Sequence, residues 1–151
     1  MLFVILLFFL SASCSRRNSA FLLEQNLSCK GKYRSSKLTY PTKNHLTGLE
    51  LELDKNISGL YCYINVFSRS VPPFKEDSQK SLVTIKKSKK IINFIVYRME
   101  GGQRLQFSSE QSKILMDFLQ EEKEFIILLQ GYEEKINPQK FKEFFKALYR
   151  A

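Results

Sequence analysis

The stretch Leu49-Glu50-Leu51-Glu52-Leu53-Asp54 decides the fold. Leucine alternates with a carboxylate at every step, and successive side chains of a strand point to opposite faces. The segment is therefore a strand with one buried and one wetted face. Asn56–Gly59 supplies turn residues after it. Leu60, Cys62, Ile64 and Val66 then alternate with Tyr61, Tyr63, Asn65 and Phe67, a second strand with both faces largely apolar. Val71-Pro72-Pro73 ends the pattern, because proline lacks the N–H that a ladder needs.

Further along, Leu82–Lys86 and Ile91–Arg98 read as a hairpin across Lys87-Ser88-Lys89. Ile92, Phe94 and Val96 share one face and Ile91, Ile95 and Tyr97 the other, which suits a central strand. Gly101-Gly102 predicts a tight turn, since glycine accepts positive φ. Leu105 and Phe107 alternate on the return. The period then changes. Ser108 and Gln111 are placed for a capping box, and Gln111, Ile114, Leu115, Phe118 and Leu119 follow at helical spacing. That predicts a helix over 109–121. Phe125–Leu129 is a short buried strand before Gly131. Asn137-Pro138 pairs an N-cap residue with proline at the first helical position. Phe141, Phe144, Phe145 and Leu148 line one side of the helix that follows; Lys140, Lys142, Glu143 and Lys146 line the other. The order predicts an α+β domain: an antiparallel sheet of about five to seven strands packed with two helices near the C-terminus. A β-sandwich with helical insertions is the alternative.

Upstream, Ser15-Arg-Arg-Asn-Ser is a polar tether. Lys30, Lys32, Arg34 and Lys37 are interleaved with Gly31, Ser35 and Ser36, which reads as linker and loop with one short strand around Lys37–Tyr40. The expected division is residues 1–13 as a signal peptide, 14–44 as a lipidated cysteine and tether, and 45–151 as a single domain.

The first residues carry the targeting information. Met1–Leu10 is an unbroken apolar block followed by Ser11-Ala12-Ser13-Cys14. A bilayer span takes about 20 apolar residues, whereas a signal-peptide core takes about 7–15. The block ends in small residues before a cysteine, as a lipoprotein cleavage site does. It is a relaxed lipobox: Ser11 stands where leucine is usual, and no Lys or Arg precedes Cys14. Plain secretion after the small residues is one alternative. An uncleaved anchor or a buried strand is another.

The chain has 151 residues, 44% of them hydrophobic, and a formal charge of +9. That apolar share builds an ordinary globular core. The excess of basic residues favours acidic surfaces such as anionic lipid, or serves solubility alone. Nucleic acid is not an expected partner for an exported chain. With Cys14 consumed by lipid, Cys29 and Cys62 remain as an even pair, and an oxidising compartment allows a disulfide between them. Two buried thiols are the alternative.

The inventory of reactive groups is thin. His45 is the one histidine; it has no metal-ligand spacing around it and reads as a loop residue. Cys62 lies among apolar strand residues, where a thiol is usually inert packing. Gly101-Gly102 lacks the further glycines and Lys-Ser/Thr of a phosphate loop. Glu50, Glu52 and Asp54 read as a solvated strand face. Asn26-Leu-Ser28 and Asn56-Ile-Ser58 fit the glycosylation triplet, which has meaning only in a eukaryotic host. Tyr132, Phe141, Phe144, Phe145 and Tyr149 read as core packing rather than a ligand groove. Lys86, Lys87, Lys89 and Lys90 form a positive spike at a hairpin tip. They suit contact with an anionic surface, or a turn that guards the apolar strand Ile91–Tyr97 from aggregation.

The lipobox-like start, together with Gly101-Gly-Gln-Arg104, the helix after it and Leu128-Leu-Gln-Gly-Tyr132, resembles small lipoproteins of Gram-negative bacteria, of the chlamydial type. That resemblance implies acylation of Cys14, palmitate included, and no catalytic, cofactor or metal residues. Ser15 rather than aspartate after the cysteine implies sorting to the outer membrane. The expected function is a membrane-anchored lipoprotein with a non-enzymatic binding or structural role in the cell envelope. Its expected partners are the membrane, through the anchor, and an envelope protein or anionic lipid. A small exported enzyme and a carrier of apolar ligands are the alternatives.

Overall fold

The computed structural model describes residues 21–27, 34–42, 44, 46 and 48–150. Chain order runs through β1 (Leu22–Leu27), β2 (Arg34–Tyr40), β3 (Leu49–Asn56), β4 (Gly59–Val66), β5 (Lys80–Lys87) and β6 (Lys90–Arg98). A 3-10 turn at Glu100–Gly102 leads to β7 (Arg104–Gln106), α1 (Ser109–Gln120), β8 (Phe125–Leu129), β9 (Tyr132–Ile136) and α2 (Phe141–Arg150). The nine strands form one sheet in the order β1-β2-β3-β4-β7-β6-β5-β8-β9. Every neighbouring pair is antiparallel. The fold is α+β, as the order of patterns predicts, with more strands than expected.

Alternation decides what faces inward. Leu49, Leu51 and Leu53 on β3 stand opposite Val66, Ile64 and Cys62 on β4, and all six are buried. Val83 and Ile85 on β5 stand beside Phe94 and Ile92 on β6 and continue that face. Each fully buried aliphatic side chain contributes about 1.5–3 kcal/mol against leaving it in water. The sheet curls until its far strands meet through side chains. The Tyr40 hydroxyl on β2 donates to the Lys135 carbonyl on β9 (3.5 Å) and accepts from the Asn137 N–H (3.1 Å). Thr42 donates to the buried Glu134 carboxylate at 3.1 Å.

The helices close the concave side. Ser108 caps α1 as the sequence predicts: its hydroxyl accepts from the Gln111 N–H, and the Gln111 side chain accepts from the Ser108 N–H. Leu115, Phe118 and Leu119 are buried beneath it. On α2, Phe141 is buried and meets the Phe21 ring at 5.4 Å between centroids; Phe21 also packs against Tyr40 at 5.2 Å.

Three expectations are corrected. The sheet begins at Leu22, with Phe21 already buried, rather than near residue 45. Tyr132–Ile136 is a strand, β9, that the sequence reading left unassigned. The last helix starts at Phe141, not at Pro138. Asn137 instead accepts from the Gln139 N–H in a local turn, and Lys140 takes a positive φ of 65° before the helix begins. The Gly101-Gly102 turn is as expected, with φ of 78° and 66°. Arg98 packs its guanidinium where a side chain at Gly102 would stand.

Candidate functional site

The convex face of the sheet carries two adjoining zones. The first is polar and lies on β3, β4 and β7. Arg104 is its centre. Its guanidinium donates to Glu52 at 2.5 Å and to Asn65 at 3.2 Å, and stacks 3.9 Å above the Tyr63 ring centroid. Asn65 donates to the other Glu52 oxygen at 2.9 Å. Asp54 lies 3.8 Å from the guanidinium. Glu52 is buried, so the expected solvated carboxylate face is solvated only at its margins.

Electrostatics follow that packing. Burial pushes the Asp54 carboxyl above its ordinary value, the Glu52 charge adds to this, and Arg104 opposes it. Burial likewise raises the Tyr63 phenol against the pull of Arg104. Burial disfavours the Lys37 charge, but its ion pair with Glu24 and the nearby Glu52 outweigh this and hold its value up. These groups satisfy one another. The arrangement ties three strands of the convex face together and aims no pair of groups at a common open position.

The second zone covers β5 and β6. Leu82 pairs across the strands with Ile95, Lys86 with Ile91, and Lys80 with Tyr97. Ile91 is 61% exposed, and Ile95, Tyr97 and Leu82 are exposed as well. Strand β6 is central, as its sequence suggests, yet only one of its two apolar faces is covered. Beside this zone, Val71, Pro73 and Phe74 wall an open groove of about 340 Å³ that reaches Leu82 and Leu128. A separate cleft of about 380 Å³ runs between α1 and α2, lined by Leu60, Met116 and Phe145.

The four hairpin lysines do not act together. Lys86, Lys89 and Lys90 are exposed and make no ion pair among the described residues. Lys87 is 7% exposed. Its ammonium reaches Glu121 at 2.8 Å and the Phe118 carbonyl at 3.4 Å, and sits 4.5 Å from the Phe118 ring centroid. Lys87 is therefore not part of an anionic-surface contact. The reason is register: the turn is Ser88-Lys89, so Lys87 continues the inward row Val83, Ile85. Alternation alone could have found this.

Cys62 is wholly buried on β4 and has no disulfide partner among the described residues, Cys29 lying outside them. Burial pushes the Cys62 thiol up to about 12, and the Ser112 hydroxyl beside it lowers it only partly. Cys14, Cys29 and His45 lie outside the described residues. The aromatic cluster is packing, with different membership: Phe21, Tyr40, Phe141, Phe144, Phe145 and Tyr149 touch in sequence. Tyr132 stands apart, its hydroxyl donating to the Arg69 carbonyl and accepting from the Arg69 N–H, both at 2.6 Å. Among the described residues no three His, Cys, Asp or Glu side chains converge as a metal set. No described helix is long and apolar enough to cross a membrane.

No family model, curated protein or solved structure matches the chain.

Proposed function

We propose that the chain is a lipid-anchored protein of the cell envelope, acylated at Cys14 and sorted to the outer membrane, with a non-enzymatic binding role. Its docking surface is the convex face of β5 and β6. One observation carries the binding role: Leu82 and Ile95 pair across a strand pair at the heart of the sheet with Tyr97 beside them and Ile91 beyond the Thr84–Asn93 pair, all four exposed on one face. Isolated exposed apolar residues are ordinary, but several gathered on one sheet face among polar groups mark an interaction site. The anchor rests on the apolar block Met1–Leu10 and the small residues before Cys14.

Two measurements test this reading. Cell fractionation should place the wild-type chain with the outer membrane and release Cys14→Ser from it. Hydroxyl-radical footprinting in intact envelopes should then modify Leu82, Ile95 and Tyr97 more slowly than in detergent-purified protein. Equal modification in both would contradict a docking role for this face.

A further inference from the structure

The docking face has a chemistry of its own. We infer that it rests on an anionic phospholipid surface, in the orientation that brings the β5–β6 hairpin against the headgroups. This builds on the lipid-anchored reading and names what the face touches.

Charge complementarity is the first argument. Lys86 and Lys89 project from the hairpin and make no ion pair among the described residues, whereas Lys90 shares the face of Lys87, its ammonium 5.8 Å from the Phe118 ring centroid. The acidic group nearest in role, Glu121, is taken by Lys87. Turning Lys87 inward both neutralises that carboxylate and leaves Lys86 and Lys89 free for an outside partner.

The second argument is what stands between those lysines. Ile91 pairs directly with Lys86, and beyond the hydrogen-bonded Thr84–Asn93 pair Leu82 faces Ile95 on the same side. Lysine heads around exposed aliphatic side chains suit the boundary between headgroups and acyl chains, where ammonium groups meet phosphates while apolar groups bury. A protein partner would more often be met by planar arginine and aromatic anchors, whereas these are mobile point charges.

Tether length is the third. About seven residues separate Cys14 from the buried Phe21, and an extended chain covers at most about 3.6 Å per residue. An acylated Cys14 therefore holds the sheet within about 25 Å of the bilayer, comparable to the length of β5 itself.

The test uses the full acylated chain in vesicles of phosphatidylcholine alone and of phosphatidylcholine with phosphatidylglycerol. Lysine acetylation is followed by mass spectrometry at each site. On anionic vesicles, acetylation of Lys86 and Lys89 should slow by about fivefold or more, the effect of roughly one lysine–headgroup contact. Lys142 and Lys146 on α2 should be unchanged. The double variant Ile91→Ser, Ile95→Ser should bring the hairpin ratio back toward one. Uniform slowing at all lysines, no slowing, or a ratio indifferent to the isoleucine variants would each overturn the inference. So would protection of the face in whole envelopes without any lysine effect on vesicles, which would assign it to a protein partner. Flotation with neutral vesicles reads the anchor separately: a chain that fails to float there has lost the anchored reading, whereas one that floats with evenly acetylated lysines has lost only this inference.

Discussion

The ammonium of Lys87 lies 2.8 Å from the carboxylate of Glu121, beneath a hairpin whose other lysines face solvent. The pair pins the end of α1 to the β5–β6 turn. The contact is made from a buried lysine to a half-exposed carboxylate, with the Phe118 ring as a second neighbour.

Lys87→Ala should therefore destabilise the domain by about 1–2 kcal/mol, through the lost charged hydrogen bond and cation–π contact. Lys87→Met should recover the packing part. Lys86→Gln and Lys89→Gln should stay within about 0.5 kcal/mol of wild type. Denaturant titration reads all four, and equal losses at Lys86 and Lys87 would contradict the burial assignment.

The same pair gives a pH dependence. The Lys87 hydrogen bond holds the Glu121 carboxyl below its ordinary value of 4.5. A lowered carboxyl favours the folded state above its unfolded value, and that contribution is lost as pH falls through the lower folded one. Thermal melts of Glu121→Gln between neutral and acid pH should fall less steeply than wild type over this window. Parallel curves would mean that the pair does not couple to folding.

The polar zone predicts opposite outcomes for two carboxylates one strand position apart on the same face. Glu52→Gln should cost about 2 kcal/mol, because it weakens two hydrogen bonds to a buried charge. Asp54 is raised by burial and by Glu52, so its charged form opposes folding at neutral pH. That cost is relieved as pH falls through the raised folded value, the reverse of the Glu121 case. Asp54→Asn should leave melting at pH 7 unchanged or slightly higher. A loss as large as that of Glu52→Gln would show that Asp54 is a main partner of Arg104.

Cys62 should resist maleimide in the native state and react once the chain is unfolded without reductant. Burial and a value of about 12 leave almost no thiolate at neutral pH. If Cys62 stays unreactive in denaturant until a reductant is added, it is held in a disulfide, with Cys29 the expected partner.

Much of the sheet was legible because its strands are half buried and alternate cleanly. Leu49–Asp54 and Gly59–Val66 needed only the two-residue period, and Ser108 with Gln111 marked α1 to within a residue. The first strand was hidden by composition, and the second was legible only over Lys37–Tyr40. Arg34–Tyr40 buries Ser36 on the inner row, and Leu22–Leu27 is an edge strand with polar residues on both rows. Strand β9 was hidden by Glu133-Glu134-Lys135, since the inward position Glu134 is a carboxylate held by Thr42, distant in the chain. The Arg104 cluster could not be read at all: it joins Arg104 on β7 to Tyr63 and Asn65 on β4 and Glu52 on β3, and only the sheet order brings them together. Lys87 was different, because its inward direction follows from a register the sequence already implied.

The proposed function stands on an acylated Cys14 that hangs this domain from a membrane. Intact mass spectrometry of protein extracted from membranes of its host measures this directly. The expected chain begins at Cys14 and carries added acyl mass. A mature chain that begins elsewhere, carries no lipid and needs no detergent for solubility would contradict it.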